Sequence, residues 1–188
     1  MTPQLPVDAL ERLIACEAIR RICARYCQAI DRCDVELLKS VYWEDATDDH
    51  GLFVGNAMEF AEFVMPMLRT MQRTVHQVFN IDIDFLGPTQ AKVQSYCMAY
   101  HEMNGNEVVV GVRFLDEFER RQDEWRILQR ICIADWNQSR PSTSDWAENG
   151  LLSSLRPGKR GPDDPTREWR AKSLGSAMSP QARSRGGS

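Results

Sequence analysis

Apolar residues return every three to five positions from Val7 to Ile30 (Val7, Leu10, Leu13, Ile14, Ile19, Ile22, Tyr26, Ile30). That spacing predicts one helix with a single apolar stripe. Asp34 is a good N-cap for a second, short helix running to about Tyr42. Glu44 to Gly55 reads as a turn-rich segment with one short strand, and Asn56 can cap a third helix from Ala57 to about Leu68. The period then changes from helical to two. Val75, Gln77, Phe79, Ile81, Ile83 and Phe85 alternate with Thr74, His76, Val78, Asn80, Asp82 and Asp84. Gly87-Pro88 turns the chain into a strand from Ala91 to Met103. Asn104-Gly105 is a strong hairpin signal, followed by strands over Glu107–Arg120 and Trp125–Trp136 with a turn at Gln122-Asp123. Helices first and a four-strand antiparallel meander last define an α+β fold. A long curved sheet with a helix lying across it makes a cone whose open end is a pocket.

Composition adds a boundary. Residues 141–188 hold five of the nine prolines, six of the eleven glycines and four residues from Leu, Ile, Val and Phe. Such a stretch cannot build its own core. Residues 1–140 are therefore expected to be the folded domain. Residues 141–188 form an extended or weakly helical tail, disordered from about Ser173, with Trp146 and Trp169 as local docking points. The whole chain carries −4, the tail +3 and the first 140 residues −7. This balance argues against a nucleic-acid partner, which requires a basic face. No apolar run reaches the roughly 18 residues that span a bilayer, and the first ten residues lack the apolar stretch of a signal peptide. A cytoplasmic location is the resulting expectation. The six cysteines include no Cys-x-x-Cys pair, so neither a redox motif nor a zinc knuckle is supported. Cys23 and Cys27, one helical turn apart, read as small buried residues. Asp48, Asp49 and His50 form one acidic cluster without the second spaced pair that a metal site needs. No Gly-x-Gly-x-x-Gly loop, Walker loop or Gly-x-Ser-x-Gly elbow is present.

Three blocks carry a family resemblance: Tyr26-Cys27-Gln28-Ala29-Ile30-Asp31-Arg32-Cys33-Asp34; Val75-His76-Gln77-Val78-Phe79-Asn80; and Gly111-Val112-Arg113-Phe114 through Phe118-Glu119-Arg120 and Trp125-Arg126-Ile127 to Asp135-Trp136. In this order and at these spacings the chain resembles the SnoaL-like branch of the nuclear transport factor 2-like superfamily over roughly residues 8–138. Within it, the chain is similar to cofactor-free lyases such as scytalone dehydratase, bile acid 7α-dehydratase and hexachlorocyclohexane dehydrochlorinase. The resemblance implies catalysis without a cofactor or metal, with Asp31 and His76 as an acid–base pair and Tyr26 as a third catalytic residue. The second catalytic histidine of scytalone dehydratase has Cys97 as its nearest counterpart. The superfamily also holds binding modules and dioxygenase small subunits, so the fold alone does not set the function.

The chemistry of these residues suits the implied roles. An imidazole is a natural base near neutral pH, with a reference pKa of about 6.5. An aspartate on its far nitrogen fixes the tautomer and stabilises the imidazolium. The bland alternatives are that Asp31 caps the second helix or pairs with an arginine, and that His76 is a solvated strand residue. Tyr26 is either a proton donor or a core aromatic. Candidate substrate-binding residues are Arg113, His50, Asn80 and Tyr96. Arg113 is the one charge in Val108–Leu115 and either lines the pocket or points outward to solvent or a subunit interface. His50 either reaches the cavity mouth as a second acid or lies on a surface loop. Tyr96 and Tyr100 share a strand face opposite His101, so both sets cannot point inward. The expectation is a lyase acting on a small hydrophobic aromatic or alicyclic substrate, by loss of water, halide or a small aldehyde. An isomerase or cyclase using the same residues, a non-catalytic binding or assembly module, and a dioxygenase small subunit are the alternatives. A homodimer or homotrimer is expected, with no membrane or nucleic-acid partner.

Overall fold

The computed structural model describes residues 7–143 and 154–172. The chain divides into two units, residues 1–142 and 143–188. In the first unit a long helix, α1 (Val7–Arg32), ends where Cys33 takes a left-handed backbone, φ 51°. Asp34 then accepts a hydrogen bond from the Leu37 amide at 3.2 Å and starts α2 (Val35–Ser40). Strands β1 (Tyr42–Asp49) and β2 (Val54–Asn56) follow. The Asn56 side chain caps α3 (Ala57–Thr70) by accepting from the Met58 amide at 2.8 Å. The chain then runs through β3 (Arg73–Phe85), β4 (Gln90–Met103), β5 (Asn106–Arg121) and β6 (Glu124–Pro141).

The expected meander is present as β3 to β6, antiparallel throughout. It is part of a larger, six-stranded sheet of order β2-β1-β6-β5-β4-β3. The Glu44–Gly55 segment supplies both additional strands: β1 pairs parallel to β6 and antiparallel to β2. The expectation of one short strand there fell short because β1 is rich in acids, which propensity assigns to turns. Those acids find long-range partners instead. Asp45 takes two hydrogen bonds from Arg121, and Asp48 is buried within the domain. The second helix is shorter than expected: it stops at Ser40, and Tyr42 opens β1.

One face of the sheet is covered. Ile19, Ile22, Tyr26, Ala29 and Ile30 of α1, with Phe60 and Met65 of α3, pack on inward-facing Ala91, Val93, Phe114 and Phe118. Only the second half of the α1 stripe is used this way. Leu10, Leu13 and Ile14 are more than half exposed, which corrects the expectation of one continuous buried stripe. In the second unit, a 3-10 turn (Gly161–Asp163) leads to α4 (Pro165–Ala171), capped by Asp164, which accepts from the Thr166 amide at 2.9 Å. Trp169 on α4 is exposed rather than docked. Trp146 and the segment from Ser173 onward lie outside the described residues.

Candidate active site

Asp31 closes the buried face of α1, and His76 lies four residues into β3, on the strand face that meets the helix. The His76 ring places Nδ1 2.7 Å from Asp31 Oδ1, and the His76 backbone amide donates to Asp31 Oδ2 at 2.9 Å. One carboxylate thus holds both the backbone and the ring of the same histidine. The two side chains are only 10% and 11% exposed. A carboxylate this buried is costly without partners, and both its oxygens have them. The Nδ1–H···Asp31 bond leaves Nε2 as the basic position of the neutral ring. His101 from the neighbouring strand meets His76 edge-on, ring centres 5.3 Å apart. His76 and Cys27 line a cleft of about 240 Å³ together with Arg20, Ala24, Val78 and Ile81.

Tyr26, five residues before Asp31, enters a second cluster. Its hydroxyl and His50 Nε2 are 3.1 Å apart. His50 Nδ1 bonds Asp48 Oδ1, while Tyr42 donates to Asp48 Oδ2 at 2.6 Å. His50 therefore points into the domain, stacked on Phe60 with ring centres 4.6 Å apart. Beneath this group lies a fully buried ion pair. Arg130 donates through Nε and Nη2 to the two oxygens of Asp116, each at 2.7 Å. The guanidinium rests against the Tyr26 and Phe114 rings, 4.1 and 4.0 Å from their centres. Burial opposes the Arg130 charge, but Asp116 together with Tyr42 and Tyr26 more than offsets it, and Arg130 is held cationic. Burial pushes the Tyr26 phenol well above its ordinary range, with Arg130 pulling the other way.

Sequence reasoning missed Arg130 and Asp116. A signal was available: Asp116 is in phase with apolar Phe114 and Phe118, and Arg130 pairs with it across β5 and β6. Only the Asp116 phase is readable, because the bulge between Ile127 and Gln129 puts Arg130 out of period-two phase with buried Trp125 and Ile127. The two clusters approach each other at Cys97. Its thiol hydrogen-bonds that of Cys27, and this bond, with His76 and Arg130 nearby, draws the thiol below its ordinary range.

The structure does not bring Arg113, Asn80 or Tyr96 to these groups. Arg113 points to the sheet's other face, where Nε and Nη2 donate to Asp135 at 2.9 to 3.2 Å. It is out of phase with buried Phe114, so strand alternation turns it away from the pocket. Tyr96 lies opposite Arg113 in register and shares that face. Asn80 is exposed at a β-bulge with φ 49°. Among the described residues no group of three or more His, Cys, Asp or Glu could hold a metal ion, and no helix is long and apolar enough to cross a membrane.

A curved, unclosed six-stranded sheet with helices packed across one face is the cone architecture. Residues 11–131 match the SnoaL-like domain, and the chain belongs to that family. Three crystal structures share the fold. A scytalone dehydratase-like protein from Novosphingobium aromaticivorans DSM 12444 is 21% identical, with a TM-score of 0.64 over 69% of this chain and 90% of that one. A hexachlorocyclohexane dehydrochlorinase (type 3) from Novosphingobium barchaimii LL02 is 16% identical, with a TM-score of 0.65 over 73% and 96%. The beta subunit of a protein assigned as an aromatic-ring-hydroxylating dioxygenase, also from N. aromaticivorans, is 17% identical, with a TM-score of 0.57 over 66% and 92%. No curated protein matches the chain.

Proposed function

We propose that the protein is a cofactor-independent lyase, acting in the cytoplasm as a homodimer or homotrimer on a small hydrophobic aromatic or alicyclic molecule. The observation that carries this reading is the pair of hydrogen bonds that His76 donates to Asp31, one from its backbone amide and one from Nδ1. A non-catalytic binding module has no use for a carboxylate that fixes the tautomer of a base at the wall of a cleft. Neutral His76 takes a proton from the substrate through Nε2, and Asp31 stabilises the imidazolium that results. The group β to the reacting carbon departs with the bonding pair, and Tyr26 is the candidate donor for it. The similarity to dehydratase-like and dehydrochlorinase structures supports elimination as the reaction type. None of the six cysteines is in a disulfide, which suits a reducing compartment.

The test follows turnover of a panel of β-hydroxy and β-halo aromatic and alicyclic ketones by the ultraviolet absorbance of the conjugated alkene. His76→Gln and Asp31→Asn are each expected to lower the rate by roughly 10²–10⁴-fold with the thermal midpoint little changed. Wild-type rates in both variants would overturn the reading.

A further inference from the structure

The chain holds a second aspartate–histidine pair, separate from Asp31–His76 and wired to a different group. The Asp48 side chain is fully buried and has both oxygens engaged, Oδ2 by the Tyr42 hydroxyl and Oδ1 by His50 Nδ1. The Nδ1 proton is therefore fixed on His50, and any change in its proton count occurs at Nε2. That nitrogen faces the Tyr26 hydroxyl. When Nε2 carries a proton it donates to the Tyr26 oxygen, which frees the phenol's own proton for another acceptor. When Nε2 is bare it accepts that proton, and the phenol has none to give elsewhere.

We propose that Asp48, His50 and Tyr26 form a proton-delivery relay, in which His50 refills Tyr26 as Tyr26 protonates a departing substrate oxygen. Two observations favour the relay. Tyr26 alone is a poor acid, because its burial makes a free phenolate costly and Arg130 offsets that cost only in part. It can give up a proton only if another arrives in the same step. His50 can be recharged, since its side chain is 22% exposed whereas Asp48 is not exposed at all. The titratable or charged groups around His50 are Tyr26 from α1, Tyr42 and Asp48 from β1, Asp116 from β5 and Arg130 from β6. Phe60 is its contact on α3.

The proton count closes. His76 Nε2 takes the carbon-bound proton, the new carbon–carbon double bond forms, and the carbon–oxygen bond breaks with its electron pair on oxygen. Tyr26 protonates that oxygen, which leaves as water, and the His50 Nε2 proton moves to Tyr26. His76 ends protonated and His50 neutral, and exchange with solvent resets both. A relay of this kind serves a leaving group that requires a proton. The inference rests on the lyase reading and narrows it to substrates that lose a hydroxyl group rather than a halide.

The relay itself is a property of the resting protein and is tested without substrate. The full chain has three histidines and four tyrosines. It is labelled with ¹⁵N-histidine and ¹³Cζ-tyrosine, with His50 and Tyr26 assigned from His50→Gln and Tyr26→Phe. Above its midpoint His50 is expected as the Nδ1–H tautomer, opposite to the form that dominates in free histidine. The Tyr26 Cζ signal is expected to change together with the His50 ring signals across a pH series, and Asp48→Asn to abolish the preference for the Nδ1–H tautomer. An Nε2–H tautomer, or a Tyr26 signal flat through the His50 titration, would overturn the relay. On the ketone panel, His50→Gln is expected to cost about tenfold more on a β-hydroxy ketone than on its β-chloro analogue. Equal losses would also overturn it. Flat spectra beside His76-dependent turnover would sink the relay and leave the lyase reading standing, whereas wild-type rates in His76→Gln would sink the reading whatever the spectra show.

Discussion

Arg130 and Asp116 show how much one buried charge pair commits the domain to. Both lie in the interior, both Asp116 oxygens accept from the guanidinium, and two aromatic rings pack against it. Burial pushes the Asp116 carboxyl up while Arg130 pulls it back, and the fork-on-fork geometry is that of an ion pair. Breaking such a pair from one side leaves an uncompensated buried charge, worth about 3–5 kcal/mol. Arg130→Met is therefore expected to destabilise the protein by that amount in urea unfolding. The double variant Arg130→Met/Asp116→Leu should recover most of the loss, because it buries no orphaned charge. Asp31 and His76 are legible in the sequence because their residue types and order carry a chemical pattern. Arg130 is not, since an arginine near Gln129 on an ordinary-looking strand, out of phase with buried Trp125 and Ile127, reads as a solvated side chain. Arg113 misleads for the converse reason: its neighbours are apolar, but they lie on both faces of the sheet, and Asp135 waits on the outer one.

Among the elements, the meander is the most legible part, because its turns declare themselves. Asn104 and Gly105 take φ values of 52° and 74°, and Gln122 and Asp123 take 50° and 67°, the left-handed pairs that a two-residue hairpin needs. What the pattern could not show is how closely β5 and β6 approach near their bulge. A Cβ built on Gly111 would stand 2.2 Å from Trp136 Nε1, so the indole occupies the space a side chain would fill. Gly111→Ala is expected to displace that ring and to cost about 1–3 kcal/mol, read as a lower urea midpoint with quenched or shifted tryptophan fluorescence. Beside it, the Arg113 hydrogen bonds hold the Asp135 carboxyl below its ordinary value of 3.8. A folded-state value below the unfolded one contributes stability that is present above pH 3.8 and lost as the pH falls through the lowered value. Arg113→Ala should remove that contribution, so its acid-unfolding midpoint moves to higher pH than wild type while turnover is unchanged. A loss of turnover would instead return Arg113 to the pocket.

The whole domain presents two faces with different chemistry. The helix-covered face carries the two aspartate–histidine pairs. The opposite face of the meander exposes Val75, Phe79, Tyr96, Met98, Leu115 and Trp136. These form a connected surface: Phe79 lies opposite Tyr96 with their rings stacked, Met98 opposite Gly111, and Gly111 opposite Trp136. Apolar residues grouped in this way on a sheet mark an interaction surface, whereas single exposed ones need no explanation. Self-association through this face is therefore expected, and light scattering coupled to gel filtration should give a mass of two or three chains. Placing carboxylates in the middle of the surface, as in Met98→Glu/Leu115→Glu, should shift that mass toward one chain. Alternation along β4 and β5 puts both substitutions on the face away from His76 and Tyr26. The His50 and His76 imidazole signals should consequently keep their wild-type midpoints in the dissociated variant. A wild-type protein that stays at the mass of one chain across the accessible concentration range would refute the interface. A dissociated variant whose imidazole midpoints move would show that the partner subunit, and not this chain alone, shapes the site.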